Sequence, residues 1–424
     1  MKTCPKCDYA DKDENSVFCQ NCGASFASEA NENFSESVLS TGSEKQVKFV
    51  SAKKGSSTTG NANQKIIGLV VVIVVGLSLL AMSSQLFSFG FFGFNWDEFN
   101  NSQEEFNLSN DTIFLELDIQ NSIGLVTVKT DENLAGLNKI VLNRIIYVRS
   151  NTEGDMAEVT DYSFTNNSNT AKMTFKEEGF SLINLNFNTK YKYDLVVKMS
   201  PDFVLKGTNI KSATGKVNVA LEHTNVSSLN AATSTGTIDV NINGVDYFGS
   251  EDSIIVSSST GKINLNVINS TLPALNVESS TGGINIDVIN VVFLKDLHNI
   301  KSSTGKINLV FINCKFEKIT GDWTVETSTG SITATFQDFA NYTSSTKQNF
   351  AITSSTGSVT INTDFNTDIG FKLDLSTSTG SISSNFLNTG DSKNYSHTST
   401  NYLTAEIVFS FTITSSTGNL VVNN

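Results

Sequence analysis

Histidine and proline are scarce in this chain. Its 424 residues include only three histidines, His223, His298 and His397, and only three prolines. No Gly-x-Ser-x-Gly motif accompanies a histidine, so the usual signature of a histidine-activated serine nucleophile is missing. A low proline content is compatible with long β-ladders, because proline cannot donate a backbone hydrogen bond to a sheet. The low proline content therefore suits extended β-structure, and the scarcity of histidine argues against a Ser–His hydrolase.

An excess of basic residues is also missing. The formal net charge is -13. Residues 1–65 contain equal numbers of lysines and acidic side chains, and the remaining chain has 21 basic against 34 acidic residues. Nucleic-acid binding needs Lys and Arg to neutralise phosphates, so we expect no nucleic-acid partner.

One short phrase recurs nine times in the second half of the sequence. It consists of a hydroxyl residue, Ser or Ala, Thr and Gly, and successive copies mostly lie 21 to 27 residues apart. Repetition at this period indicates stacked units that each bury a face against their neighbours. The phrases end at Gly215, Gly236, Gly261, Gly282, Gly305, Gly330, Gly357, Gly380 and Gly418.

The residues around each glycine alternate between apolar and polar. Ile254 and Val256 precede Gly261 in alternation, and Ile263 and Leu265 follow it in the same way. A period of two is typical of a strand with one buried face. The sequence therefore predicts a mainly β fold, a parallel β-solenoid over 111–424 with clear repeats from about residue 207. Nine coils would form a rod of roughly 40 Å at the strand spacing of a sheet.

The third residue before each repeat glycine is always Ser or Thr, and alternation points it inward. A buried hydroxyl needs a partner, and we expect hydroxyls stacked one coil apart to supply one another. We expect the glycine to adopt a backbone conformation closed to other residues. The phrase is thus interpreted as a turn-shaping element. The alternative is an exposed threonine row that matches ice or a polysaccharide, against which the irregular coil lengths argue.

The last repeat follows a gap of 38 residues. This gap predicts a degenerate coil or a protruding loop around 385–400. The last repeat glycine, Gly418, lies only a few residues before Asn424, the final residue of the sequence. We therefore also expect an exposed strand edge at the end of the solenoid. Exposed edges pair readily, which gives the hypothesis of self-association through that end.

An unbroken apolar run covers residues 66–82, and Leu86, Phe87 and Phe89 extend it. Its length predicts a single transmembrane helix over 66–89. The run begins too late for a signal peptide. A buried core helix is the alternative, and the uncharged, β-branched composition argues against it.

The flanks of this run differ in charge. Lysines precede it, and no Lys or Arg follows until Lys129. The positive-inside rule therefore predicts a cytoplasmic N-terminus and an external solenoid. Phe and Trp residues after the run fit an interfacial belt within a juxtamembrane segment over 90–110, although a packed start to the outer domain is an alternative.

Four of the five cysteines form two Cys-x-x-Cys pairs, Cys4 with Cys7 and Cys19 with Cys22. Two such pairs complete a tetrahedral Zn²⁺ shell without a spare ligand, so residues 1–27 are predicted to form a structural zinc ribbon. Redox pairs or disulfides are the alternatives. Residues 28–65, rich in Ser, Gly and Asn, are predicted to be a flexible linker. Cys314 occupies a repeat position and is interpreted as a packing residue.

Two sets of solenoid residues are candidates for catalysis or anion binding. Asp239 and Asp287 lie at different offsets from their glycines, so they do not form an obvious acid–base pair for glycoside hydrolysis. Lys216, Lys262 and Lys306 each follow a repeat glycine and could contact an anion, but solvated turn surface is the simpler interpretation. We therefore predict that the chain is not an enzyme.

Two regions resemble known families. Residues 4–26, CPKCDYADKDENSVFCQNCGASF, resemble the short N-terminal zinc ribbon of many bacterial and archaeal membrane proteins. Residues 111–424 resemble a prokaryotic β-solenoid family of candidate adhesins, through NSIGLVTV at 121–128 and YDLVVKMSPDFVLKGTNIKSATGKVNV at 193–219. The resemblance implies a solenoid fold and a role in adhesion, but it transfers no binding residues.

The main functional hypothesis is a single-pass membrane surface protein. Its external solenoid would serve adhesion or envelope interaction, with a surface protein or a glycan as the ligand. The first alternative is a transmembrane sensor whose cytoplasmic zinc ribbon recruits a protein partner. A carbohydrate-processing enzyme is the second.

Overall fold

The computed structural model describes residues 2–3, 10–11, 96–149, 160–167, 169–177, 191–247, 253–318, 320–339, 346–365, 368–385 and 393–423. The chain divides into two compact units, residues 1–84 and 85–424. The predicted linker and the predicted transmembrane helix lie outside the described residues. Within the described residues, no helix combines the length and the apolar character needed to cross a bilayer.

The described part of the first unit is a pair of short antiparallel strands. β1 (Lys2–Thr3) pairs with β2 (Ala10–Asp11), with Lys2 opposite Asp11. The sequence between the two strands contains Cys4 and Cys7. All four cysteines of the predicted zinc ribbon lie outside the described residues, so that site stays a prediction.

The second unit begins with a region of mixed strand directions. The strand Trp96–Asn107 lies within the segment predicted to be juxtamembrane, and it pairs antiparallel with the strand Lys139–Arg149. The elements of this region are β3 (Trp96–Asn107), β4 (Phe114–Ile123), β5 (Val126–Thr130), a 3-10 helix (Glu132–Leu134), β6 (Lys139–Arg149), β7 (Thr160–Asn167), β8 (Thr170–Glu177) and β9 (Tyr191–Met199).

Regular coils follow, and each has one strand before its repeat glycine and one after it. Short two-residue strands fill the return path of several coils. The strands are β10 (Val204–Thr214), β11 (Val217–Glu222), β12 (Asn225–Val226), β13 (Leu229–Thr233), β14 (Ile238–Asn243), β15 (Asp246–Tyr247), β16 (Ser253–Ser258), β17 (Ile263–Ile268), β18 (Thr271–Leu272), β19 (Ala274–Ser279), β20 (Ile284–Ile289), β21 (Val292–Phe293), β22 (Leu297–Ser302), β23 (Ile307–Ile312), β24 (Lys315–Phe316), β25 (Thr320–Thr327) and β26 (Ile332–Gln337).

The last coils have longer strands before their glycines. They are β27 (Thr346–Ser354), β28 (Val359–Thr363), β29 (Ile369–Thr377), β30 (Ile382–Ser384), β31 (Asn394–Thr398), β32 (Ile407–Ser415) and β33 (Leu420–Asn423). β27, β29 and β32 each contain nine residues.

The coils stack into two long sheets. Sheet 1 holds the strands before the glycines in the order β31-β29-β32-β27-β25-β22-β19-β16-β13-β10-β4-β8-β7. Sheet 2 holds the strands after them in the order β3-β6-β9-β5-β11-β14-β17-β20-β23-β26-β28-β33-β30. Equivalent residues are in register from coil to coil, as when Ile263 pairs with Ile238 on one side and Ile284 on the other. The predicted parallel, mainly β solenoid is confirmed.

The order of the last coils in space differs from their order in sequence. β32 lies between β27 and β29, and β33 lies between β28 and β30. The final repeat is therefore enclosed by two other coils, so the predicted exposed edge at Gly418 is wrong. Residues in the 38-residue gap form β31, which runs antiparallel along β29 and covers that edge of sheet 1.

The opposite end uses a similar arrangement. β8 and β9 follow β4 and β5 in sequence, but they pair on the outer side of them. Antiparallel strands lie beyond this coil, β7 in sheet 1 and β6 with β3 in sheet 2. In sheet 1, both ends of the parallel ladder thus meet antiparallel strands, which limits the backbone that is open to further pairing. In sheet 2, one end meets β6 and β3, whereas the other end is β30, which pairs in parallel with β33.

The interior changes composition along the solenoid. Between Val217 and Leu275 the buried positions are mainly Ile, Val and Leu, and aromatic rings fill the core further along. Trp323 stacks on His298 with ring centroids 3.6 Å apart, and Phe350 stacks on Trp323 at 5.4 Å. Larger rings fill a wider interior at native packing density, which fits the longer coils of that end.

Candidate binding trough at the glycine corner

Each coil bends sharply at the four-residue phrase, here called the glycine corner. The third residue before the glycine is buried, as predicted, but its hydroxyl does not bond to the next hydroxyl in the column. Ser279 Oγ donates to the carbonyl oxygen of Gly261 in the neighbouring coil (3.2 Å) and accepts from the N–H of Gly282 (2.9 Å). Ser354 makes the same pair of bonds to Gly330 and Gly357. The hydroxyl therefore connects two coils through backbone groups, except at Ser212, whose Oγ has no hydrogen-bond partner among the described residues.

The glycines are required mainly by close approach. A Cβ at Gly282 would overlap the Gly261 carbonyl oxygen, and a Cβ at Gly305 would overlap that of Gly282. Of the nine repeat glycines, Gly215 is the one with φ in the left-handed range, at 153°. The prediction of a special backbone conformation is therefore wrong for most corners. Glycine is required there because the stacked carbonyl of the neighbouring coil leaves no room for a side chain.

A tenth glycine corner lies before the repeats. Gly124 connects β4 to β5, has a φ of 129°, and stacks directly against Gly215. Asn121 takes the place of the usual Ser or Thr and donates its Nδ2 to the carbonyl oxygen of Tyr193. Because Asn121 and Ile123 replace the usual hydroxyl residue and threonine, the repeated motif does not reveal this corner in the sequence.

From Gly236 onward, the threonine that precedes each repeat glycine has a hydroxyl fixed by a hydrogen bond to a backbone carbonyl. Thr260 Oγ1 donates to the carbonyl oxygen of Ser234 (3.0 Å), and Thr281 Oγ1 donates to that of Ser259 (3.1 Å). The same bond recurs from Thr356 to Ser328. Since every coil is in register, these threonines form an even row although the coils differ in length. Irregular coil length is therefore no argument against a regular surface at this corner.

The serine between these two positions behaves differently. It is exposed from the Gly261 coil onward, and within the described residues its Oγ has no hydrogen-bond partner at five consecutive corners. These hydroxyls remain available to a ligand, unlike those of the threonine row. The five residues, here called the serine row, are Ser259, Ser280, Ser303, Ser328 and Ser355.

A trough of about 590 Å³ runs along the glycine corners, with the serine row as one wall. It crosses the coils from Gly236 to Gly357, roughly 24 Å at the strand spacing of a sheet. The other wall, here called the charged wall, is formed by outward-facing residues at the ends of sheet 1 strands. Its members are Ser257, Glu278, Lys301, Glu326 and Thr353.

The middle of the charged wall alternates in sign. Glu278, Lys301 and Glu326 are successive partners in the parallel register. Lys301 Nζ lies 3.2 Å from a carboxylate oxygen of Glu326, and both side chains are nearly half exposed. Glu278 accepts a hydrogen bond from Asn299 Nδ2 at 2.9 Å. Exposed ion pairs contribute little to stability, so these groups can bind a ligand at small cost to the fold.

Sheet 2 carries a second polar surface, but its groups are already paired. Asn308, Asn285 and Asn264 each donate Nδ2 to the next side chain, and the ladder ends on Asp239. Lys216 Nζ lies 2.6 Å from Asp239, and hydrogen bonds from Asn264 and Lys216 hold the pKa of this carboxyl below its usual value against the effect of burial. A saturated ladder of this kind offers few free groups to a ligand.

The candidate catalytic and anion-binding residues are not brought together into one cluster. Asp239 and Asp287 lie on the outer face of sheet 2 with the strand of Asn264 between theirs. Two strand spacings and a two-residue offset place them roughly 11 Å apart, beyond the usual glycosidase separation. Lys216 pairs with Asp239, so this part of the lysine row does not form an anion site.

A second turn occurs in six of the described coils and was not predicted from the sequence. His223, Asn269 and Asn290 have φ of 51°, 49° and 54°, in the left-handed range, and lie eight residues after their glycines. Asn290 Nδ2 donates to Asn269 Oδ1 at 2.9 Å. The recurrence of Asn at this offset was the signal that could have found it. The positions, here called the asparagine turn, are His223, Gly244, Asn269, Asn290, Asn313 and Asp338.

Two buried side chains with unusual ionisation belong to the core. Burial lowers the pKa of His298 to about 3, although its hydrogen bond with the Lys295 carbonyl opposes the shift. Its Nδ1 faces the donating N–H of Leu275, which also disfavours a proton there. Burial raises the pKa of the Cys314 thiol to about 12. Cys314 is fully buried, as expected for a packing residue.

No protein-family model matches the sequence, and no curated protein sequence matches it either. Among the solved structures that are similar to this chain are the following two. One is a candidate cell adhesion protein from Clostridium sporogenes, with 11% identity, a TM-score of 0.21, and coverage of 76% of this chain and 99% of that one. The other is a candidate adhesin from Bacteroides fragilis, with 9% identity, a TM-score of 0.30, and coverage of 77% and 97%. At these scores the similarity carries no argument about the ligand.

Proposed function

We propose that this chain is a single-pass membrane surface protein whose β-solenoid binds a ligand outside the cell, in adhesion or envelope interaction. The observation that carries the proposal is the trough, where the serine row offers hydroxyls without protein partners on a register-locked scaffold. The acidic composition after residue 65 and the charge difference across 66–89 support an external solenoid. Zn²⁺ bound by Cys4, Cys7, Cys19 and Cys22 would fold the cytoplasmic end.

Surface labelling of intact cells tests the topology. A membrane-impermeant amine reagent should modify the exposed Lys262 and Lys306, and should leave the eight lysines of 1–65 unmodified. Lysed cells serve as the control, because both groups should react there. Modification of 1–65 with protection of Lys262 and Lys306 would reverse the topology and refute the proposal.

Adhesion itself requires a separate measurement. Cells lacking the chain should attach to surfaces or neighbouring cells less well, and re-expression of the full-length protein should restore attachment. Unchanged attachment in the deletion strain would argue against an adhesive role.

A sensor is the second candidate function, because two Cys-x-x-Cys pairs encode a metal-folded module on the predicted cytoplasmic side. An adhesin has no evident need for such a module. Changing Cys4 and Cys7 to Ser should remove a cytoplasmic partner captured from cells if the zinc ribbon recruits it. Intact attachment after this change, with no partner lost, would favour simple adhesion.

A further inference from the structure

We propose that the trough binds one chain of a neutral polysaccharide, which lies parallel to the solenoid axis. The inference deepens the proposed surface role and rests on it. The trough extends over six coils, and a serine recurs at each coil along one wall, so it suits a linear polymer with a repeating unit better than a compact ligand.

The serine row matches the chemistry of sugars. A serine hydroxyl donates one hydrogen bond and accepts two, as a sugar hydroxyl does, so either partner can donate at each contact. Ser280, Ser303 and Ser328 have no competing partner within the described residues. The threonine row, by contrast, donates to backbone carbonyls and acts as support.

The lining also disfavours a peptide. Specific peptide grooves contain pockets for apolar side chains or an open sheet edge. Apart from Ala232, the trough is lined by Ser, Thr, Glu and Lys, and its strands are paired on both sides. Neither mode of peptide recognition is present there.

The charged wall selects against anionic polymers. Glu278 and Glu326 place two carboxylates on the wall, against the single cation of Lys301. Carboxylates accept charge-assisted hydrogen bonds from sugar hydroxyls. The same groups repel uronate or phosphate chains, and the surrounding acidic surface adds to the repulsion.

The site is rigid before it binds. Each corner is joined to the next by the bridging hydroxyl, the threonine bond and the backbone ladder, as at Ser302 and Thr304. Because the serine row is already ordered, its side chains lose little conformational entropy on binding. This ordering of side chains is otherwise a large cost for a ligand held by many weak polar contacts.

Binding to the purified full-length protein tests the inference, with affinity measured for three soluble probes: neutral hexose oligomers, N-acetylhexosamine oligomers and a polyuronate. A neutral oligomer should bind, with affinity that rises with oligomer length until the trough is filled. The polyuronate should bind more weakly than the neutral probes.

Two pairs of variants separate the trough from the rest of the surface. Ser303→Trp fills the middle of the trough and should weaken binding at least about tenfold, whereas Ser358→Trp adds the same bulk at an exposed position outside the trough. Glu278→Gln should weaken binding by roughly three- to tenfold through loss of a charge-assisted bond. Its control is Asp287→Asn, in the next strand of the same coil on sheet 2.

The inference fails if no neutral probe binds, if the polyuronate binds best, or if Ser303→Trp and Ser358→Trp have equal effects. Surface labelling distinguishes this failure from failure of the proposed function. A labelled solenoid that binds no neutral glycan would leave the surface role standing and remove only the polysaccharide. An unlabelled solenoid would remove the surface role whatever the purified protein binds.

Discussion

The glycine corner and the asparagine turn bend the same chain in the same coil by different physical means. At the glycine corner, the backbone of one coil lies so close to the next that a Cβ at Gly261 or Gly282 would overlap a carbonyl oxygen. At the asparagine turn, the constraint is local, because Asn269 and Asn290 take a left-handed conformation and point their amides outward. The residue types accepted at the glycine corner are thus limited by the neighbouring coil, and those accepted at the asparagine turn by the local dihedral angles.

This difference explains which residue types each turn accepts. The glycine corner carries Gly in all nine repeats, since no side chain fits beneath the stacked carbonyl. The asparagine turn accepts Asn, Asp, Gly and His, because these residues tolerate positive φ at modest cost. Substitutions should therefore cost more stability at the corner than at the turn.

The largest effect is expected for Gly282→Ala. The new Cβ would overlap the Gly261 carbonyl oxygen and approach Ser279 Oγ, so two coils would have to separate. We expect the free energy of unfolding to fall by roughly 4 kcal/mol or more, as for severe overpacking. Urea denaturation of the full-length protein, followed by circular dichroism, measures this change.

The adjacent Gly283 provides the matched control. A Cβ there would meet only the Lys306 carbonyl oxygen, at an ordinary 3.4 Å. Gly283→Ala should therefore leave stability unchanged or raise it by about 0.5 kcal/mol through reduced freedom of the unfolded chain. Similar losses in the two variants would show that close approach is not the reason for the glycine.

Removal of the bridging hydroxyl should have an intermediate effect. Ser279→Ala leaves the buried N–H of Gly282 without its acceptor and removes the bond to Gly261. Leaving buried polar groups unsatisfied costs about 1–3 kcal/mol. Ser280→Ala, which removes an exposed hydroxyl of the serine row, should be nearly neutral in the same denaturation experiment.

Ser279→Thr sharpens this comparison, since Thr327 and Thr377 make the same two bonds elsewhere. We expect this variant to keep most of the stability that Ser279→Ala loses. Equal losses for Ala and Thr would assign the effect to packing around the side chain instead of to the hydroxyl.

The inward-facing positions that recur from coil to coil could be predicted from sequence, because each follows from the pattern of nearby residues within one repeat. Alternation around Gly261 fixes which side chains face inward, and recurrence of Ser or Thr three residues earlier marks the buried hydroxyl. The partners of that hydroxyl could not be predicted. They depend on how far one coil lies from the next, which the periodicity of a single repeat does not contain.

The order of the last coils could not be predicted for a related reason. β27, β29 and β32 have equal length and a similar alternation of inward residues, so the pattern allows each to pair with either of the others. Repeats that resemble one another do not encode which neighbour each will have. The trough was missed in the same way, since the serine row and the charged wall become a surface only when six coils are in register.

The smallest effect is expected at the asparagine turn. Asn290→Ala keeps an exposed position but places an alanine at a φ of 54°, which costs roughly 1 kcal/mol for a residue in the left-handed region. Asn290→Gly removes the same amide bonds to Asn269 and Asn313 without that penalty, as Gly244 does at the equivalent position. The two variants therefore separate backbone conformation from the side-chain ladder.

If unfolding shows that Gly is tolerated at position 290 and Ala is not, the residue type at the asparagine turn is limited by its own dihedral angles. If both lose equally, the amide ladder holds the coils together there, and the two bends would then share one mechanism, in which each coil is fixed by its neighbour.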